Sequence, residues 1–181
     1  MISLTMTRGF AAALLLTMGC ALGGVSRTPE VQYEPTPMDV VQAMLALAEV
    51  RAEDLVADLG CGDGRIVIEA ARRHGARGLC VDLDPRRIAE ARRNAAAAGV
   101  AERISFLNQD LFGTDLRGVS AVMLFLSPAF NLKLRPKLAR ELAPGARVVS
   151  HWHDMGDWRP ARTLRIASDG RERPVHLWVM P

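Results

Sequence analysis

Short apolar runs alternate with segments of helical periodicity along most of the chain. Apolar residues in these segments recur every three or four positions, which predicts helices. Strands that alternate with helices predict a parallel sheet covered by helices on both faces. Five runs have the length and the flanking glycine or polar residues of buried parallel strands: 55–59, 76–81, 104–107, 119–126 and 146–150.

The C-terminal part of the chain follows a different pattern. Two strand-like segments, 162–168 and 174–180, flank the turn residues Asp169 and Gly170 and predict an antiparallel hairpin. The predicted fold class is therefore α/β, a Rossmann-like doubly wound, mostly parallel seven-stranded sheet with a C-terminal antiparallel hairpin. We also expect Pro136 to break the helix that follows the fourth strand near its first turns.

The first 37 residues do not fit the alternation. Residues 1–25 contain one arginine followed by a short apolar run, which predicts a signal peptide or a membrane anchor. Residues 26–37 carry three prolines and predict a linker, so the folded domain is assigned to 38–181. Cys20 ends a segment similar to a bacterial lipoprotein cleavage box. We therefore expect a membrane-associated or exported protein, or an uncleaved anchor whose domain faces the cytosol.

A glycine-rich turn joins the first strand to the next helix. Gly60, Gly62 and Gly64 alternate, and the helical pattern begins at Arg65. Glycine lets a ligand approach the backbone, and a helix N-terminus attracts carboxylate or phosphate groups. The dinucleotide fingerprint G-x-G-x-x-G is absent, because Arg65 stands where its third glycine would be. A turn without a ligand is the structural alternative.

Acidic residues follow three successive strands. Asp82 comes after Asp58 at close to the ~20-residue offset at which an acid meets a ribose hydroxyl. Asp110 follows the third strand, and Asp84 precedes Pro85 as a helix cap. Because the carboxyl ends of parallel strands share one edge of the sheet, Asp58, Asp82 and Asp110 are expected in one site.

Together, Asp58 and the three alternating glycines resemble motif I of the class I S-adenosylmethionine-dependent methyltransferases. The resemblance implies S-adenosyl-L-methionine as cofactor, with its methionine part in the turn, its ribose on Asp82 and its adenine amino group on Asp110. Tyr33 and Thr36 are interpreted as a lip over it. The predicted cofactor-binding residues are Tyr33, Asp58, Gly60, Cys61, Gly62, Gly64, Asp82, Leu83, Asp110 and Leu111.

Three further segments narrow the resemblance: Tyr-Glu-Pro-Thr at 33–36, Asp-Leu-Gly-Cys-Gly-Asp-Gly-Arg-Ile-Val at 58–67 and Pro-Gly-Ala-Arg-Val-Val-Ser at 144–150. They are similar to the protein-lysine methyltransferase group that includes the mitochondrial ATP synthase c-subunit enzymes. The resemblance implies N-methylation of an amine such as a protein lysine. A methyltransferase acting on a small molecule and a non-catalytic cofactor-binding protein are the alternatives.

The turn after the fourth strand, Ser127-Pro128-Ala129-Phe130, is similar to the Asn/Asp/Ser-Pro-Pro-aromatic loop of amino-group methyltransferases. The resemblance implies that Ser127 and a carbonyl beside Pro128 accept hydrogen bonds from the substrate nitrogen and that Phe130 flanks it. These three residues are the predicted catalytic residues. An ordinary strand-to-helix turn is the alternative.

Composition excludes several function classes. A net charge of +3 with no dense basic block predicts no nucleic-acid partner. His151, His153 and Asp154 lie close together after the fifth strand, where they either assist the reaction or pack locally, and no metal site is predicted. The three cysteines form no recognisable pairing pattern, so no disulfide is expected.

Overall fold

A computed structural model of the chain describes Met1 and residues 33–181. Two single-turn 3-10 helices lie at Ala101–Arg103 and Leu111–Gly113. The remaining elements, in chain order, are α1 Met38–Leu47, β1 Leu55–Leu59, α2 Arg65–His74, β2 Arg77–Asp82, α3 Pro85–Ala97, β3 Ile104–Asn108, β4 Ala121–Leu124, α4 Pro128–Glu141, β5 Arg147–His151, β6 Arg162–Ser168 and β7 Arg171–Val179.

The seven strands form one sheet in the order β3-β2-β1-β4-β5-β7-β6. Strands β1 to β5 are parallel, whereas β7 pairs antiparallel with both β5 and β6. The predicted fold class is confirmed, including the C-terminal hairpin. The chain adds β2 and β3 on one side of β1 and then adds β4 and β5 on its other side. Ligands of such sheets bind beyond the carboxyl ends of the strands at the point where this order changes.

The predicted signal or anchor segment, Cys20 included, lies outside the described residues apart from Met1. Within the described part, no helix is both long and apolar enough to cross a lipid bilayer.

Helices cover both faces of the sheet because side chains alternate along each strand. On one face, Leu59 and Leu124 pack with Leu134 and Leu138 of α4. On the other face, residues of α1 and α2 pack against alternate strand residues, among them Val56, Met123 and Val149. The sheet is thereby held rigidly between two apolar layers, and its carboxyl edge is fixed.

Helix α4 runs unbroken from Pro128 to Glu141, so the predicted break at Pro136 is wrong. Proline removes one backbone donor, which leaves the carbonyl of Leu132 without its helical partner. Leu132 lies on the exposed side of the helix. Leu134 and Leu138 on the buried side are completely inaccessible to solvent, and their packing outweighs the lost hydrogen bond.

Cys61 and Cys80 form a disulfide, so the expectation of unpaired cysteines is wrong. The N–H groups of Gly60 and Cys61 both donate to the Val81 carbonyl, at 2.8 and 3.0 Å. These bonds fold the glycine turn over the end of β2 and bring the two cysteine Cα atoms to 5.3 Å. The pairing depends on strand register, which cysteine spacing along the chain does not reveal.

Candidate active site

The glycine turn is held against the end of β2 by one carboxylate. The Gly62 N–H donates to Oδ2 of Asp82 at 2.9 Å, and the Asp84 N–H donates to Oδ1 of Asp82 at 2.9 Å. Gly62 has a φ of 53°, a left-handed conformation that suits glycine. Asp84 caps α3 through the Arg86 N–H, with Pro85 in the first turn, as predicted. Asp82 therefore holds the glycine turn through one carboxylate oxygen and the residue that caps α3 through the other.

A cavity of about 650 Å³ opens at this edge of the sheet. Its size is within the range of pockets that hold small molecules. Gly62 and Gly64 form the turn behind its wall, and Ser127 and Pro128 are also absent from its lining. The predicted site residues that line it are Tyr33, Asp58, Gly60, Cys61, Asp82, Leu83, Asp110, Leu111 and Phe130.

Asp58 is a buried acid that lines the cavity. Its side chain is buried at the end of β1, and burial raises the pKa of its carboxyl to about 8, with the charges of Asp82 and Asp63 adding to the effect. A buried carboxylate beside other acids favours a cationic ligand, because a positive charge would offset both causes. The methionine part of S-adenosylmethionine carries such charges.

Aromatic rings line the cavity beyond β3. Asp110 caps the short helix at Leu111–Gly113 by accepting from the Phe112 N–H at 2.9 Å. The Phe112 ring lies 5.6 Å from the Phe130 ring, and Lys133 Nζ is 4.2 Å from its centroid. Phe130 thus lies toward the end of the cavity where the sequence predicts the adenine. Phe112 and Lys133 were not predicted, since no motif marks them.

The last residues of the predicted linker cover the glycine turn. The Tyr33 ring lies directly over Gly62, where an added Cβ would be 2.3 Å from Tyr33 Cε2. The Arg87 guanidinium is 4.0 Å from the centre of that ring. Burial and the neighbouring Asp63 carboxylate raise the pKa of the Tyr33 hydroxyl. The absence of a side chain at Gly62 is what allows this contact.

Arg65 fixes the same segment from the other side. Its Nη1 donates to the Thr36 carbonyl at 2.9 Å, while its Nε and Nη2 bind the Asp63 carboxylate. These charged bonds hold the pKa of Asp63 below its usual range despite burial. Arg65 occupies the position of the third glycine in the dinucleotide fingerprint. This departure from the fingerprint is the sequence feature that could have indicated the role of Arg65 in holding Thr36 and Asp63.

The cavity continues past β1 to the end of β4. Thr36, Phe125 and Leu126 line this part, which we name the β4 end of the cavity. Ser127 lies next in sequence, and its hydroxyl accepts from the Phe130 N–H at 3.5 Å as the cap of α4. Ser127, a predicted catalytic residue, therefore lies beside the β4 end and outside the cavity lining.

Behind the β4 end lies His151, the last residue of β5. It is fully buried, its ring centroid is 4.1 Å from that of Phe125, and its Nδ1 is 3.4 Å from the Thr36 hydroxyl. Burial lowers the pKa of His151 to about 4, with the charges of Arg173 and His153 contributing. His151 is therefore a neutral imidazole at physiological pH.

Comparison with known proteins agrees with this geometry. Residues 58–162 match the family model described as the ANTKMT methyltransferase domain. A protein-lysine N-methyltransferase of Saccharolobus islandicus is 39% identical over 157 residues, which is 86% of this chain and 98% of that protein. The mouse adenine nucleotide translocase lysine N-methyltransferase is 34% identical over 83% of this chain and 65% of its own length.

A solved structure extends the comparison to a bound ligand. The Salinibacter ruber protein described as an RNA methyltransferase, in complex with S-adenosyl-L-homocysteine, is 48% identical. The match covers 82% of this chain and 94% of that one, with a TM-score of 0.78. The cavity size and the acids that line it fit the same cofactor. The chain belongs to the ANTKMT methyltransferase-domain family and is an S-adenosyl-L-methionine-dependent methyltransferase.

Proposed function

We propose that the protein transfers a methyl group from S-adenosylmethionine to the ε-amine of a protein lysine. The observation that carries the proposal is one continuous cavity that joins the acids of β1 to β3 to the apolar β4 end. The lysine methyltransferase relatives support the choice of acceptor, because one of them matches this chain over 98% of its own length.

In this proposal the cofactor lies along the edge of the sheet. Asp110 and Leu111 hold the adenine after β3, and Asp82 holds the ribose at the end of β2. The glycine turn and Asp58 hold the methionine part over β1. Since β4 is the next strand in the sheet, the transferable methyl faces Thr36, Phe125 and Leu126, and the acceptor amine enters there.

The cofactor supplies a sulfonium methyl, which is already reactive, so the protein contributes position and electrostatics. The apolar side chains of Phe125 and Leu126 at the β4 end disfavour an ammonium ion and thereby favour the neutral amine that can attack. Glu34, an exposed carboxylate on the cavity lining, attracts the protonated lysine to the entrance. Tyr33 and its neighbours over the glycine turn exclude water.

RNA is a second candidate acceptor, because the Salinibacter ruber relative is described as an RNA methyltransferase. The charge distribution of the described residues favours a protein over RNA as the methyl acceptor. Most arginines in the described part lie within 4.0 Å of a carboxylate and are neutralised locally. RNA binding requires unpaired basic groups that contact phosphates.

A labelled methyl donor distinguishes these acceptors. The purified protein is incubated with labelled S-adenosylmethionine and a lysate that contains membranes, and the product is divided between protease and nuclease treatment. The proposal predicts that protease treatment releases the label and that the label is attached to lysine residues. Label released by nuclease would support RNA, and label in the small-molecule fraction would support the alternative of a metabolite acceptor. Cofactor binding without transfer would indicate a non-catalytic protein.

We also propose that the N-terminal segment places the domain at a membrane, as its sequence predicts. The Cys61–Cys80 disulfide supports an oxidising compartment, where such bonds persist. Fractionation of cells that express the full chain tests this directly. Recovery of the uncleaved chain in the soluble cytosolic fraction would contradict the proposal.

A further inference from the structure

His151 is a buried polar residue that contacts two lining residues of the cavity. Within the described part of the chain, it has no solvent exposure and its Nε2 has no hydrogen-bond partner. An unpaired buried polar atom lowers stability, so its retention calls for an explanation. Replacement by an apolar ring would remove this cost, yet the residue contacts two side chains of the β4 end.

The contacts of His151 connect three separate segments. Its ring stacks on Phe125 after β4, with centroids 4.1 Å apart and planes inclined by 39°. Its Nδ1 meets the Thr36 hydroxyl at 3.4 Å, across 115 residues of sequence. His151 itself does not line the cavity, but Thr36 and Phe125 both do. It can therefore influence an acceptor through these two neighbours.

The difference between two pKa values argues against His151 as the general base for the lysine amine. A lysine ammonium ordinarily has a pKa near ~10.4, whereas burial lowers that of His151 to about 4. Proton transfer from that ammonium to this imidazole would be strongly uphill. The neutral ring is suited to a fixed hydrogen bond and a fixed stacking contact, which are properties of a positioning residue.

We infer that His151 is a positioning residue for methyl transfer, which fixes the Thr36 hydroxyl and the Phe125 ring around the incoming amine. The inference rests on the proposed function for its acceptor. Transfer requires the nucleophile in line with the methyl group, and a misplacement of about 1 Å can cost as much as 100-fold in rate. Loss of either contact at the β4 end would therefore reduce turnover and leave the acids that seat the cofactor in place.

Two variants separate the contacts. His151→Phe keeps a ring against Phe125 and loses the bond to Thr36, whereas His151→Asn retains a polar group near Nδ1. We expect His151→Phe to lower kcat at least ~10-fold while the cofactor Kd changes less than ~2-fold. His151→Asn should recover part of kcat. Hydrogen exchange of residues 33–37 should rise in His151→Phe.

His176 provides a matched control, because its Nδ1 meets the Thr163 hydroxyl at 2.9 Å on the C-terminal hairpin, away from the cavity lining. His176→Phe should leave kcat and exchange at 33–37 unchanged. Wild-type activity on lysine tests the proposed function, and the variants are then compared on whichever acceptor takes the label. If both His151 variants keep wild-type kcat and exchange, or lose kcat only in proportion to unfolded protein, the inference is wrong.

Discussion

The backbone N–H of Gly62 donates to the Asp82 carboxylate at 2.9 Å, which joins the glycine turn to the end of β2. The same carboxylate is the proposed acceptor for the ribose hydroxyls. In this proposal one side chain both shapes the turn and binds the ligand that the turn encloses. Its loss should affect cofactor binding more than any other acid of the cavity edge.

We therefore expect Asp82→Ala to weaken S-adenosylhomocysteine binding by about 1–3 kcal/mol, the cost of unpaired buried polar groups. Titration calorimetry measures the change. Asp115→Ala is the control, since that exposed carboxylate bonds to Arg117 on the surface. Equal affinities for wild type and Asp82→Ala would remove Asp82 from the cofactor site.

Gly62→Ala tests the contact with Tyr33. The added Cβ would be 2.3 Å from Tyr33 Cε2, so the ring must move off the turn. Gly118→Ala is a matched control: Gly118 has a φ of +81° and no atom within 4 Å of an added Cβ. Both variants carry the left-handed backbone penalty of ~1–2 kcal/mol. Only Gly62→Ala should also weaken cofactor binding.

A Tyr33→Ala background completes this test. With the ring absent, Gly62→Ala should cost no more affinity than Gly118→Ala does. An undiminished loss would show that the turn backbone, and not Tyr33, is responsible.

Asp58 gives the protein a predicted pH dependence. Burial raises the pKa of this carboxyl to about 8 in the folded protein, whereas an unfolded aspartate ionises near ~3.9. The folded state then binds more protons between these values. The contribution of Asp58 to the free energy of unfolding is full below about pH 4 and is lost as pH rises toward 8.

Asp58→Asn should remove this dependence. Urea denaturation of both proteins between about pH 5 and pH 8.5 measures it, and the stability of wild type relative to the variant should fall across that range. Parallel curves for the two proteins would mean that Asp58 is ionised in the folded state throughout.

The disulfide predicts a redox dependence of stability. It closes a loop with a sequence separation of 19 residues, for which the chain-entropy model gives about 3 kcal/mol. Reduction, or Cys61→Ser with Cys80→Ser, should lower the urea midpoint accordingly. Cys61 also lines the cavity, so cofactor affinity should fall in the same samples.

Thiol titration provides the check on this prediction. The chain has three cysteines, and the unreduced, unfolded protein should expose at most one thiol, that of Cys20. Three reactive thiols before reduction would contradict the disulfide.

The features that sequence predicted correctly are those with local causes. The strand 55–59 has the predicted bounds, because its apolar run ends at a glycine turn. Asp58, Asp82 and Asp110 meet at one edge because parallel strands bring their carboxyl ends together. The turn residues Asp169 and Gly170 likewise indicate the C-terminal hairpin without tertiary information.

The features that sequence missed depend on contacts between distant segments. The Cys61–Cys80 disulfide requires the register of β1 against β2. The contact between His151 and Thr36 joins two residues that are 115 positions apart in the sequence. Pro136 illustrates the reverse case, in which a correct local rule is overridden by packing of the helix on the core.

Identification of the methylated atom tests the central claim most directly. The full-length protein is incubated with labelled S-adenosylmethionine and lysate proteins, with and without prior chemical blocking of their lysine amines, and the products are digested and sequenced by mass spectrometry. The enzyme itself contributes few competing sites, because Lys133 and Lys137 are its only lysines. We predict methyl-lysine in unblocked proteins and its loss after blocking. Transfer that persists on blocked proteins, or label found on RNA, would contradict lysine as the acceptor.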